Sequence, residues 1–299
     1  MEKLTMKTYN IGTKLVLSVA LFGMGGVFAA GTAQAGHNGS PALIKSAIAS
    51  NSVDAIEAEL ERSEYLVCAA CSDLVTPLVD HLDYRVRKVA AWWIARRGIN
   101  KQVYVAMLGR LSQPDSFLAR NAADVLGELG FSGAVPALSA AMSNPIYSAE
   151  ARAAMARALG SIGRPDAVPA LVDVLASPDP AVKAGALSAL RQIQGFRQAD
   201  AATPLLTDSD EQVRAEAALT LGAVLRTGKT GVQPAGVSQL LATLATDPSA
   251  DVRKKAAWSL GEMGAPASMA ATGLQAAASQ DPNPAVRSLA HIAISKLTR

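Results

Sequence analysis

A motif that returns seven times constrains this chain more than any other feature of its sequence. The clearest copy runs from Val252 to Gly264 and reads apolar residue, arginine, a pair of alanines, then Leu-Gly and a second glycine three residues later. An apolar residue near the middle of each copy recurs every 31 to 39 residues: Ile94, Leu126, Leu159, Leu190, Leu221, Leu260 and Ile294. A period in this range predicts an array of stacked repeats.

The spacing of apolar residues within one copy predicts an α-helix. If Val252 is motif position 0, then positions 0, 4, 8 and 11 are apolar in nearly every copy. At about 100° per residue these positions share one helical face. A glycine often follows at position 12, where it can end the helix in the left-handed conformation. Turns rich in Asp, Pro and Ser precede each helix, and a shorter apolar segment precedes each turn. Each unit is therefore predicted to be helix, turn, helix, glycine.

These residues resemble the HEAT repeat, in the short bacterial form shared with phycobilin lyase subunits, over about residues 72–299. The resemblance implies an all-α, right-handed solenoid of about seven helical hairpins, with the second helix of each hairpin lining the concave face. Such arrays host many unrelated activities, so the resemblance indicates a fold rather than a function. The sequence departs from the pattern at Ala119, Lys183 and Gln194, and an insertion over 226–236 is expected to form a projecting loop.

The first 35 residues are typical of a secretory signal. Lysines precede an apolar stretch from Leu15 to Ala30, and Ala33-Gln34-Ala35 resembles a small-residue cleavage site. The stretch is shorter than the roughly 20 residues of a membrane span. We therefore expect cleavage after Ala35 and a periplasmic or secreted product without a membrane-inserted segment.

Cleavage would also change the charge of the chain. The leader contains three lysines and one glutamate, so the formal charge of +3 falls to +1 in the mature protein. That balance does not favour binding to nucleic acid. Residues 36–71 are expected to form an N-terminal helical cap on the solenoid of residues 72–299.

Cys68 and Cys71 are the only cysteines in the chain. In an oxidising compartment such a pair is expected to form a disulfide that staples the cap. A redox-active pair, a metal site and two free core residues remain alternatives. Neither a βαβ setting nor a nearby set of histidines supports the redox or metal interpretation.

The three tryptophans occupy two kinds of position. Trp93 lies at the edge of the apolar stripe and is predicted to be buried, whereas Trp92 and Trp258 both take motif position 6, on the opposite face. Outward aromatic residues near arginine are typical of binding hot spots. Alternatively, the N-terminal cap covers Trp92 and the 226–236 insertion covers Trp258.

Arginine recurs at motif position 1 in five copies, at Arg87, Arg152, Arg214, Arg253 and Arg287. Because it recurs with the repeat, we expect it to form a ladder of contacts to the Asp-rich turns of neighbouring repeats. A continuous anion-binding stripe is the alternative.

Motifs for common catalytic chemistry are absent from the sequence. It has no strand-linked phosphate loop, no Gly-x-Ser-x-Gly and no His-Glu-x-x-His. Deoxyhypusine hydroxylase, a HEAT-like enzyme, binds iron through His-Glu pairs, but none of His37, His81 and His291 precedes glutamate. We therefore expect neither a metal nor a cofactor.

The sequence favours an exported scaffold or adaptor that binds a protein or peptide on its concave face. The residues expected to contact the partner are outward-facing on second helices: Trp92, Arg96, Asp124, Arg157, Lys254 and Trp258. A thiol–disulfide oxidoreductase centred on Cys68 and Cys71 is one alternative. A lyase-like activity, as in the phycobilin lyase relatives, is another, although it conflicts with export.

Overall fold

The structure, a computed structural model, describes residues 39–66, 68–226, 234–263 and 267–297. The predicted signal (1–35), the start of the predicted cap and most of the predicted insertion, residues 227–233, lie outside the described residues. Those that are described form α-helices joined by turns, with no β-strand among them. None of these helices combines the length and apolar character needed to cross a bilayer.

Sixteen α-helices follow one another along the described residues. They are α1 Pro41–Ala49, α2 Val53–Arg62, α3 Ala69–Val75, α4 Tyr84–Ala95, α5 Asn100–Leu111, α6 Ser116–Leu129, α7 Val135–Ser143, α8 Ala149–Ile162, α9 Val168–Asp173, α10 Pro180–Gln192, α11 Ala199–Ala202, α12 Glu211–Arg226, α13 Pro234–Thr246, α14 Ala250–Glu262, α15 Ala267–Gln280 and α16 Pro284–Leu297. Short 3₁₀ turns extend α3, α9 and α11.

From α3 onward the helices pair into seven hairpins, which confirms the predicted α-solenoid architecture. The even-numbered helices α4 to α16 carry the motif and are called the second helices below. Each second helix packs against the first helix of its own hairpin and against the second helices of adjacent repeats. The expected boundary between cap and solenoid, after Cys71, falls inside α3.

The predicted apolar positions form the core. In α14 the side chains of Val252, Ala256 and Leu260 are fully buried, and that of Met263, directly after the helix, is nearly so. Every repeat adds such a stripe, so the core runs continuously along the stack, as expected for an array in which each unit is buried by its neighbours.

Small residues let the second helices approach one another closely. A Cβ atom added to Gly160 of α8 would lie 2.7 Å from the Cα atom of Ala189 in α10, and one on Gly261 would lie 2.9 Å from the Cα of Ala293. Both glycines occupy motif position 9 and both alanines position 7. The repeat therefore contains a glycine–alanine contact that sets the distance between neighbouring second helices.

Glycine also ends some of the second helices as predicted. Gly130 and Gly163 take the left-handed conformation, with φ of 70° and 72°, directly after α6 and α8. Gly98 does not take a positive φ, so the prediction is wrong there. After α10, where Gln194 replaces the expected glycine, Gly195 has a φ of 88° instead.

The motif-position-1 arginines form the predicted ladder between repeats. Arg214 and Arg253 each bind the aspartate of the following turn, Asp247 and Asp281, with both oxygens engaged at 2.7–3.2 Å. Each arginine also donates to two carbonyl oxygens of its own turn. The hydrogen bond from Arg253 lowers the pKa of Asp281.

The other copies vary this arrangement. Lys183, which replaces arginine, pairs with Asp208, and Arg152 pairs with Asp179 at 3.1 Å. Arg287, in the last repeat, donates to the carbonyls of Asp281 and Pro282. These contacts account for the recurrence of the cation and favour the structural ladder over an anion-binding stripe.

Two side chains, Trp93 and Arg97, connect the end of α4 to the segment that follows α2. Trp93 is fully buried, as predicted, and its Nε1 donates to Ser63 Oγ at 3.0 Å. The guanidinium of Arg97 lies 3.1 Å from the centre of the Trp93 ring and donates to the carbonyls of Ser63, Glu64 and Leu66. Burial lowers the pKa of Arg97 to about 10.

Candidate partner-binding face

Motif position 6 places one side chain of each second helix along the same face of the stack. These side chains, called the central row below, are Trp92, Asp124, Arg157, Ser188, Leu219, Trp258 and Ile292. The row changes character along the stack. Polar and charged residues follow Trp92, whereas the last three members are all apolar.

At the N-terminal end of the row, the Trp92 side chain makes contacts within the protein. Its ring is half-buried, and the Arg96 guanidinium stacks on it. The distance between Arg96 Cζ and the centre of the ring is 4.1 Å. Arg96 in turn pairs with Glu64, which follows α2, at 2.9 Å. Two predicted contact residues, Trp92 and Arg96, therefore form a local cluster with Glu64.

Asp124 does not face outward, so the prediction for its position is wrong. Only 2% of its side chain is exposed, and its Oδ2 accepts hydrogen bonds from Arg87 at 2.7 and 3.1 Å. Burial raises the pKa of Asp124, and the Arg87 hydrogen bond opposes that rise. The side chain serves as the acceptor that completes the Arg87 step of the ladder, so it is not available to a partner.

Arg157 faces outward as predicted, with 45% of its side chain exposed. Its guanidinium lies 3.8 Å from Asp124 Oδ1. Nearby on α6, Glu128 is paired at 3.8 Å with Lys88. Burial raises the pKa of Glu128, Lys88 and Arg96 lower it, and Asp124 raises it further. This part of the face therefore carries positive and negative side chains that pair with one another.

At the C-terminal end of the row, Trp258 remains open. Its residue surface is 40% exposed, and that of Ile292 is 47% exposed. Trp258 borders a shallow groove of about 400 Å³ that is lined by residues of four consecutive second helices: Arg191, Leu219, Asp251, Lys254, Lys255, Trp258 and Leu289. Most of the 226–236 insertion lies outside the described residues, so its covering of Trp258 stays a prediction.

The groove combines an apolar floor with a cationic rim. Leu219, Trp258 and Leu289 come from α12, α14 and α16, so the floor crosses three repeats. Lys254 pairs with Asp251 at 2.9 Å, and the Lys254 hydrogen bond lowers the pKa of that carboxyl. Lys255 has no ion-pair partner within the described residues. The groove can therefore accept an apolar side chain beside negatively charged groups.

Cys68 and Cys71 are joined as a disulfide in the structure, with their Cα atoms 5.2 Å apart. Cys68 precedes the first turn of α3, and its Sγ accepts the Cys71 N–H at 3.0 Å. Cys71 is fully buried and packs in the core. The choice between a structural and a redox-active pair stays a prediction.

The described residues contain no group of three or more His, Cys, Asp and Glu side chains placed to bind a metal. His81 Nδ1 accepts the backbone N–H of Asp83 at 3.0 Å, within the turn before α4. His291 is exposed on α16, and His37 lies outside the described residues.

A family model described as HEAT repeats matches two overlapping segments, residues 147–222 and 199–295. This is a HEAT-repeat protein. Among solved structures, the HEAT-repeat chain is similar to a designed armadillo repeat protein in complex with the peptide (KR)4, at 21% identity over 64% of this chain and 98% of that one, with a TM-score of 0.51. An engineered protein matches at 20% identity over 87% and 82% of the two chains, with a TM-score of 0.50.

The HEAT-repeat chain also matches the complex of CpcE and CpcF of phycocyanin lyase from Nostoc sp. PCC7120. The identity is 22% over 76% of this chain and 94% of the matching chain of that complex, and the TM-score is 0.44. No curated protein matches. At these levels of identity the likenesses concern the fold and do not identify a function.

Of the residues that line the groove, the sequence predicted Lys254 and Trp258 but not Arg191, Leu219, Asp251, Lys255 and Leu289. Leu219 and Trp258 both occupy motif position 6, so an alignment of the repeats carries a signal for this pair. Lys255 and Leu289 both occupy position 3, whose residue type differs from copy to copy. Their meeting in one groove depends on the distance between adjacent second helices.

Proposed function

We propose that this HEAT-repeat protein is a scaffold that binds a protein or peptide partner on the face formed by its second helices. We take this as the concave face, because glycine–alanine contacts bring the second helices so close together. Concave solenoid surfaces are suited to extended or helical partners.

The observation that carries this proposal is the exposure of Trp258 beside a groove that spans four repeats. Tryptophan supplies a large contact area and is enriched at the energetic centres of protein interfaces. Unlike Trp92, which lies under Arg96, Trp258 has no cation stacked on its ring among the described residues. We therefore place the centre of the interface in the C-terminal half of the solenoid.

Export is a separate part of the proposal. The first 35 residues have the charge, apolar stretch and small-residue site of a secretory signal. A scaffold in the periplasm, or one that is secreted, would meet its partner there. N-terminal sequencing of the protein recovered from a periplasmic fraction tests this, with Gly36 expected as the first residue.

The oxidoreductase alternative finds less support in the site. An attacking thiolate must be accessible, yet Cys71 is fully buried and Cys68 is only partly exposed. A lyase-like activity rests on resemblance alone, since no described residue was assigned a role in it.

Affinity purification with matched variants tests the proposed scaffold function. Wild type, Trp258→Ala, Trp92→Ala and Tyr65→Ala are used to capture partners from periplasmic extract. Tyr65 is 79% exposed and lies after α2, outside the hairpins, so it controls for the loss of an exposed aromatic. A partner that is retained by Tyr65→Ala and Trp92→Ala but lost from a cooperatively melting Trp258→Ala variant supports the proposal. Retention of the same partner by Trp258→Ala contradicts it.

A further inference from the structure

The central row becomes apolar only in the last three repeats. Leu219, Trp258 and Ile292 follow one another on α12, α14 and α16, and Trp258 and Ile292 are each at least 40% exposed. Leu289 joins them at the groove floor. One apolar side chain exposed alone is ordinary, but a row of them across adjacent repeats is a feature of binding grooves.

The charges around this apolar floor are unbalanced. Arg191, Lys254 and Lys255 contribute three cations to the groove, against the single carboxylate of Asp251. Arg191 forms an ion pair with Glu216 at 2.8 Å, and Lys254 forms a partly exposed ion pair with Asp251. Exposed pairs of this kind are weak, so a ligand carboxylate can compete for the cation. Lys255 has no ion-pair partner within the described part of the chain, although Asp251 interacts with it electrostatically.

We infer that the groove binds an acidic segment of a partner protein, with an apolar side chain inserted against Leu219, Trp258 and Leu289 and carboxylates paired with Lys254 and Lys255. The inference rests on the proposed function and specifies the chemistry of its partner. The apolar contact supplies affinity, while the lysines favour acidic over basic sequences and speed association.

A nucleic acid would also meet cations and an aromatic ring here, but the groove suits it less well. Nucleic-acid affinity depends on many phosphate contacts, and this groove offers only a few cations. Asp251 would face the phosphates inside the groove. The floor is three apolar side chains from different repeats, of which only Trp258 presents an aromatic surface for stacking bases.

Tryptophan fluorescence provides a direct test with the purified mature protein. A Trp92→Phe background leaves two tryptophans, of which Trp93 is fully buried. The ligand is a short blocked peptide in which leucines alternate with glutamates. The comparison ligands are the same peptide with lysine for glutamate, the same peptide with alanine for leucine, and a single-stranded DNA oligonucleotide.

We expect the Glu–Leu peptide to change Trp258 emission and to bind at least about tenfold more tightly than the other three ligands. Lys254→Glu/Lys255→Glu should weaken this binding at least about tenfold. The control charge reversal Lys45→Glu/Lys101→Glu changes lysines of α1 and α5, which are not second helices. It should leave the affinity for the Glu–Leu peptide unchanged. Affinity should also fall as salt is raised, because the lysine contacts are screened.

Three results would overturn the inference: equal affinity for the Glu–Leu and Lys–Leu peptides, tighter binding of the oligonucleotide, or undiminished binding by a folded Lys254→Glu/Lys255→Glu variant. Failure here is distinguishable from failure of the scaffold function. If no acidic peptide binds, yet Trp258→Ala still loses the natural partner, the groove binds a partner of other chemistry and the scaffold function stands.

Discussion

Arg253 and Asp281 join two successive repeats through a two-point ion pair, with Nε–Oδ2 and Nη2–Oδ1 distances of 2.8 and 3.0 Å. Both residues are more than 90% buried. The same guanidinium holds the carbonyls of Asp247 and Pro248, so one side chain connects its own turn to the next. A buried charge with this many partners is costly to leave unpaired.

Replacement of Arg253 by alanine should therefore destabilise the C-terminal repeats strongly. The change leaves the Asp281 carboxylate buried without its partner, which costs about 3 kcal/mol or more. Arg287→Ala is the matched control, because among the described residues Arg287 donates to turn carbonyls and to no carboxylate, so its loss should cost about 1 kcal/mol. Urea unfolding followed by circular dichroism measures both. Equal losses for the two variants would show that the carboxylate pair adds nothing beyond the carbonyl contacts.

The pH dependence of stability should report the environment of Glu128. Burial raises its pKa above the ordinary value of 4.5, so folding favours the protonated form. Its unfavourable effect is absent at pH values below 4.5 and grows as pH rises through the folded-state pKa. Glu128→Gln should therefore raise the melting temperature at pH 7, and the difference from wild type should shrink toward pH 4.

The exposed carboxylate of Glu61 on α2 provides the control for this series. Glu61→Gln removes the same charge without relieving a buried group, so it should not reproduce the gain at pH 7. A Glu128→Gln variant that is less stable than wild type at pH 7 would mean that its ion pair with Lys88 outweighs the cost of burial.

The repeat core was predictable because the same four apolar positions recur in nearly every copy. The inward side of a helix follows from periodicity alone, and Val252, Leu260 and Trp93 are buried as expected. The arginine ladder was also predictable, since a charge that recurs with the repeat needs a partner that recurs with it.

The position of Asp124 was not predictable from helical periodicity. In later repeats the ladder acceptor lies five residues before the motif, at Asp208, Asp247 and Asp281. The corresponding residue in the second repeat is Gln113, which cannot supply a carboxylate. Arg87 binds Asp124 on α6 instead and draws that side chain into the interior. Such a substitution of partners depends on distances between repeats, which one helix does not encode.

Two glycines should respond to alanine substitution with opposite signs. Gly160 faces Ala189 so closely that an added Cβ would lie 2.7 Å from a backbone atom, and α8 and α10 would have to move apart. Overpacking of this kind costs about 1–3 kcal/mol. Gly109 is exposed within α5 and has open space around it, so Gly109→Ala should stabilise by about 0.5–1 kcal/mol. Urea titrations of both variants measure the two effects, and a neutral Gly160→Ala would refute close packing as the reason for that glycine.

Removal of the disulfide should separate its structural role from a redox role. The variant Cys68→Ser/Cys71→Ala is designed so that an oxygen can still accept the Cys71 N–H at the start of α3, while a small apolar side chain replaces the buried sulfur. A staple predicts a loss of about 2 kcal/mol in unfolding free energy with partner capture unchanged. Wild type treated with a reductant should show the same loss, and the variant should not respond to the reductant. A redox-active pair predicts the opposite: stability is kept, but thiol–disulfide exchange with a small disulfide substrate is abolished. Since Cys71 is fully buried and α3 packs against α1, we expect the loss of stability.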